Sequence, residues 1–185
     1  MVEVYARLFL KTLYHYRREG HYTLHAFVLM PDHVHLMLTP AQNVTIERAI
    51  QLIRGGYSHA LGSLIGRSSE IWQRGFTDHR IRNSQDFAHH RNYIHQNPVT
   101  GKLVNDPNEY HYCSAFPGFN LDPWPPAAKA ASAIVRRSQY FLGRGGIRLA
   151  STGSNSNFGS SKSGAKVAFV VFIQFLSSRS GKSGL

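Results

Sequence analysis

The sequence predicts an α+β fold, and three observations carry the prediction. Apolar residues recur at helical spacing in three separate stretches, two strand-like runs flank a proline-containing reversal, and a further short strand pattern precedes the third helix. With 185 residues, 42% of them hydrophobic, the chain is long enough to build one real core.

The first helix is carried by Tyr5, Leu8, Phe9, Thr12, Leu13 and Tyr16 and should end near Gly20. Tyr22 to Leu29 reads as a strand, Met30-Pro31-Asp32 as a tight turn, and His33 to Thr39 as the second strand of a hairpin. Thr45 is a plausible N-cap for the next helix, whose apolar face is Ile46, Ala49, Ile50, Ile53, Tyr57, Ala60, Leu61 and Leu64. Gly55 and Gly56 sit inside it at a cost of about 1 kcal/mol each relative to alanine, either as weak spots or as points where backbone or substrate comes close. Thr77 to Arg82 forms another candidate strand, with Arg80 and Arg82 on one face. Ser84 should then cap a helix through Phe87, His90, Ile94 and Gln96, which Pro98 should stop.

The charge of +11 is unevenly placed. Residues 1–126 hold twelve Lys/Arg against ten Asp/Glu, whereas residues 127–185 hold nine Lys/Arg and no acid. The sequence therefore divides into a nearly neutral domain, 1–126, and a basic, Ser/Gly-rich tail, 127–185, expected to be poorly ordered. Within the tail a short helix is expected around Arg136 and Arg137. The apolar run from Ala165 to Leu176 is read as an accidental or poorly ordered extension, with a docked strand as the alternative. A single cysteine, Cys113, excludes an internal disulfide framework, and no apolar stretch approaches the roughly 20 residues of a membrane span, so the plain expectation is a cytoplasmic protein. Glycine-rich phosphate loops, Gly-x-Ser-x-Gly elbows and His-Glu-x-x-His helices are absent from the sequence.

The chemistry concentrates in two places. His33 and His35 lie two apart on a strand and so share a face, while Val34 and Leu36 point to a core. On the third helix, His89, Tyr93 and Asn97 stack at successive i, i+4 steps in a stripe too polar for ordinary core. Together they suggest a site with His33 and His35 as metal ligands, Asn97 as a third, and Tyr93 as nucleophile. A phenol with a pKa of about 10 is a poor nucleophile alone, but a divalent cation beside it can offset charge as a phosphodiester is attacked. Imidazole and oxygen ligands with open positions suit Mg2+ or Mn2+, and ligand type does not exclude zinc. Tyr57, Tyr110 and Tyr112 are rival nucleophiles, none with a potential ligand four residues on; His95 and Gln96 turn away from the Tyr93 face. Arg74, Arg80, Arg82 and Arg91 cluster around the later motifs.

Met-Pro-Asp-His-Val-His at 30–35, Ile-Arg-Gly-Gly-Tyr-Ser at 53–58, Ile-Trp-Gln-Arg-Gly-Phe at 71–76 and Asn-Tyr-Ile-His-Gln-Asn-Pro-Val at 92–99 together resemble the REP-associated tyrosine transposases of the HUH single-strand transposase superfamily. The resemblance covers roughly residues 4–118, to just past Tyr112-Cys113-Ser114-Ala115. It implies a ferredoxin-like α/β sandwich with an antiparallel sheet, and an enzyme that nicks single-stranded or hairpin DNA through a 5′-phosphotyrosine intermediate. Under it His33, His35 and Asn97 bind the cation, Tyr93 attacks, and Arg54, Arg74, Arg80, Arg82 and Arg91 are candidate DNA contacts; monomer and homodimer both stay open. It also implies a strand before the first helix, which this sequence lacks: either the start lies further upstream or the copy is a truncated fragment. The alternative reading is accordingly a catalytically inactive protein that still binds DNA hairpins. An RNA-binding sheet domain and a zinc hydrolase are weaker alternatives, since no aromatic RNP-type segment is present.

Overall fold

The computed structural model describes residues 3–66, 70–124 and 167–176. The elements in chain order are α1 (Glu3–Arg18), β1 (Tyr22–Leu29), β2 (His33–Pro40), α2 (Ile46–Ile65), β3 (Thr77–Arg80), α3 (Ser84–Thr100), a 3-10 turn at Pro107–Glu109, and β4 (Phe169–Gln174). All described residues belong to one compact unit. The four strands form one antiparallel sheet in the order β1-β2-β4-β3.

Alternation along the strands divides the core in two. Val34, Leu36 and Leu38 of β2 and Val171 and Ile173 of β4 face α1 and α2, where they meet Phe9, Leu13, Ile50, Ile53 and Tyr57. Met37 and Val170 face the other way, toward Ile94 of α3. In β1 the register shifts between Leu24 and Ala26, a bulge at His25. It puts Leu24 and Phe27 on the same face despite their odd separation, and Ala26 and Val28 on the other. The α+β sandwich around an antiparallel sheet is thus the fold the sequence predicts.

Three local expectations need correction. α3 is capped by Asn83, whose side chain accepts from Asp86 N, and Ser84 is its first residue. Pro98 does not stop that helix, which runs on to Thr100. A proline lacks only its own N–H, and here the last turn is tied off by Gly101 N on Asn97 O (2.8 Å) and Leu103 N on Pro98 O (2.9 Å). β3 ends at Arg80, so Arg82 lies beyond the strand. By contrast Thr45 caps α2 as expected, accepting from Arg48 N, and Gly66 closes it in the left-handed conformation.

The largest correction concerns the far end of the chain. The run assigned to a poorly ordered extension contains β4, which lies between β2 and β3. Val171 and Ile173 have no exposed surface. The sequence predicts a sheet short of a strand; among the described residues none precedes α1, and an interior place in the sheet is filled by Phe169–Gln174. A near-continuous apolar run is what a strand covered on both faces requires. The helix expected around Arg136 and Arg137 lies outside the described residues, as do most of the basic tail and Arg67, Ser68 and Ser69. No helix among the described residues is long and apolar enough to cross a membrane.

Candidate nucleic-acid cleavage site

β2 carries His33 and His35 onto the face that α3 covers, and their rings stand 4.9 Å apart, nearly perpendicular. α3 brings Tyr93 to the same place: its ring lies 5.4 Å from that of His35, edge to face. Asn97, one turn on, donates Nδ2 to the Tyr93 carbonyl (2.8 Å), and its side chain lies near enough to His35 to act on that ring's protonation. The four residues singled out for the chemistry therefore meet, from an early hairpin and a late helix. Tyr93 is half exposed, at 52%, whereas His35 is 5% exposed.

Burial decides the protonation state. It pushes the His35 imidazole down to about 4, helped by His33 beside it and opposed by the Asn97 side chain. His35 is therefore neutral at pH 7, with a ring nitrogen able to ligate. His33 is oriented from behind: its Nδ1 meets Asp32 Oδ1 at 2.7 Å. A carboxylate on one ring nitrogen fixes the tautomer and leaves the other as donor. Two imidazoles and an amide oxygen, open to water on the Tyr93 side, make a donor set that fits a small divalent cation. Asp32 stands inside the quoted motif, next to His33, yet nothing in the residue spacing singles it out.

The remaining α3 residues serve the sheet. His95 turns away from Tyr93, as expected, and its Nε2 meets Ser114 Oγ (3.0 Å), which in turn accepts from Phe27 N (2.9 Å). At the other end of α3, His79, Asp86 and His90 bring three possible metal donors together. The two imidazoles are stacked, 4.4 Å between centroids, and both turn onto the Asp86 carboxylate at 3.2 and 2.9 Å. The trio ties β3 to α3, and Asp86 Oδ2 also accepts from Arg82 N (2.9 Å).

The rival tyrosines are otherwise engaged. Tyr57 is buried in the α1–α2 core and pushed up to about 12 by burial. Tyr110 donates its hydroxyl to Leu29 O at 2.9 Å, and the Tyr112 ring packs against that of Tyr110. Among the candidate DNA contacts, Arg74, Arg80, Arg82 and Arg91 are exposed. Arg54 donates to the carbonyls of Gln73 (2.7 Å) and Gly75 (3.1 Å) and lies over the Trp72 ring. That guanidinium joins the 53–58 and 71–76 motifs into one unit. Phe172 escaped the sequence reading altogether: its ring lies 5.1 Å from His33 and 5.0 Å from His35.

Known proteins resemble this chain in sequence and in fold. A REP-associated tyrosine transposase of Escherichia coli (strain K12) is 30% identical over 97 residues, 52% of this chain and 56% of the relative. A putative REP-associated tyrosine transposase of Haemophilus influenzae (strain ATCC 51907 / DSM 11121 / KW20 / Rd) is 30% identical over 99 residues, 48% of this chain and 56% of the relative. The chain thus spans about half the length of the curated relatives it matches. The solved structure of a REP-associated tyrosine transposase bound to a REP hairpin superposes with a TM-score of 0.53 and 26% identity, covering 60% of this chain and 66% of the other. The model of the family described as transposase IS200 like matches residues 3–97, from α1 through the histidine pair and Tyr93 to Asn97. A match that takes in just over half the chain and every element carrying the candidate chemistry leaves one conclusion: this chain belongs to the IS200-like transposases.

Proposed function

We propose that the protein is a tyrosine transposase that nicks and rejoins single-stranded DNA next to a hairpin. The observation that carries the reading is the approach of Tyr93 to the neutral His35, with His33 and Asn97 completing the same cluster. The Tyr93 oxygen attacks phosphorus, its proton passes to solvent, and the strand's 3′ oxygen departs as a hydroxyl, leaving the 5′ phosphate on the tyrosine. Attack by a 3′ hydroxyl on that linkage reverses the step and rejoins strands without a nucleotide cofactor. α3 restricts where the phenol can go, which converts a bimolecular attack into a positioned one. Asp32 holds the His33 ring, and Asn97 lies beside His35 and holds the backbone of Tyr93. A divalent ion, Mg2+ or Mn2+, bound by His33, His35 and Asn97 supplies Lewis-acid stabilisation of the developing phosphate charge. The exposed arginines Arg74, Arg80, Arg82 and Arg91 suit phosphate contact, with Arg54 acting from behind through the 71–76 loop.

The test is a labelled REP-type hairpin with a single-stranded flank, incubated with the full chain and Mg2+ or Mn2+. The expected product is a covalent protein–DNA adduct that is absent with Tyr93→Phe and without metal. His33→Ala should abolish the adduct while leaving most hairpin binding, because phosphate contacts lie elsewhere. Hairpin binding with no adduct from the unmodified chain would establish the inactive binding module instead. An adduct that survives Tyr93→Phe would overturn the mechanism.

A further inference from the structure

We propose that Phe172, contributed by the C-terminal strand, is a positioning residue for the metal-ligating histidine pair; this rests on the function proposed above. β4 pairs with β2 and with β3, and the register sets Phe172 opposite His35 on one side and Thr77 on the other. Its ring lies against both imidazoles, 5.1 and 5.0 Å between centroids, inclined at 46° and 45°. The imidazoles themselves stand at 87° to each other. One flat ring, tilted about equally to two perpendicular ones, is a wedge that fixes the angle between them.

Each histidine also has support of its own. Asp32 holds His33, while Tyr93 and Asn97 of α3 lie beside His35. Phe172 is the aromatic contact they share. Because it stands more than 130 positions beyond His35 in the chain, the pair is completed only when the last described strand enters the sheet. The anchorage of that strand is separate: Val171 and Ile173 project to the opposite face and are fully buried against α1 and α2. Shortening Phe172 thus leaves β4 in place while freeing both imidazoles to turn.

Mn2+ binding to the full chain by isothermal titration, with thermal unfolding recorded in parallel, tests this. Phe172→Ala should weaken Mn2+ affinity by about 10-fold, within the range typical of residues that orient metal ligands. Phe172→Tyr, which keeps the ring, should restore it. Val171→Ala should lower the melting temperature yet leave the affinity of the folded protein unchanged. Unaltered affinity in Phe172→Ala, with binding still lost in His33→Ala, would overturn the role of Phe172 and leave the proposed function standing. No Mn2+ binding by the unmodified chain, or binding that survives His33→Ala, would overturn the metal site and this inference with it.

Discussion

At Gly56 the chain has no room for a side chain, since an added Cβ would stand 2.6 Å from Cε2 and Oη of Tyr16. At Gly55 the same addition meets nothing within 4 Å. The two neighbours therefore answer differently to one substitution. Gly55→Ala should stabilise the protein by about 0.5–1 kcal/mol through helix propensity and loss of unfolded-state freedom. Gly56→Ala gains the same intrinsic term but must displace the Tyr16 ring, so its melting temperature should fall below that of Gly55→Ala. Equal melting temperatures in the two variants would show that Tyr16 yields freely. Sequence spacing found this glycine pair and named close approach of backbone or substrate as one of two explanations; in the fold it is a tyrosine side chain that comes close, and only at Gly56. The same limit applies at the site. His33, His35, Tyr93 and Asn97 were legible because period-two and period-four spacings put them on shared faces. Asp32 and Phe172 were not, because one acts through a rotamer and the other across the sheet.

Among the elements, β4 separates what local pattern determines from what tertiary pairing determines. Helices α1 and α2 and the β1–β2 hairpin were legible because their partners are near in sequence and their periodicity is complete. Phe169–Gln174 has an equally apolar run, but its partners are β2 and β3, far back in the chain. Set among serines and glycines it reads as an isolated stretch. What identifies such a run is the opening left for it between two strands, and that opening is not encoded locally. If β4 belongs to the core, Ile173→Ala should cost about 2–4 kcal/mol, the usual loss for truncating a fully buried aliphatic side chain. Urea unfolding measures this directly. A change under about 0.5 kcal/mol, the scale of an exposed site, would return the segment to the tail.

Across the molecule, three histidines are built in as neutral groups, and together they set how stability depends on pH. His25 is bulged into the core, where Nδ1 meets the carbonyl of Asp122 (2.9 Å) and Nε2 meets Thr39 Oγ1 (2.9 Å), so the neutral ring is fully satisfied with Nδ1–H donating to that carbonyl. Burial lowers the pKa of His25, as it does for His35, which falls to about 4, and for His95. In the unfolded chain each returns to about 6.5. The unfolded state therefore binds more protons than the folded state between these limits. Stability is fully present above pH 6.5 and is lost as pH falls toward the folded values. His35 alone should remove about 2 kcal/mol between pH 7 and pH 5. Asp122 works in the same direction at lower pH. Its carboxylate lies below the usual range because Arg17 pairs with it at 2.6 and 2.8 Å, and its contribution is lost when it protonates. Urea midpoints in EDTA should consequently fall steadily from pH 7 to pH 4, and His25→Gln should flatten the upper part of that decline. A midpoint independent of pH between 7 and 5 would mean that these imidazoles are as accessible to protons in the folded protein as in the unfolded chain, contrary to their burial between sheet and helix.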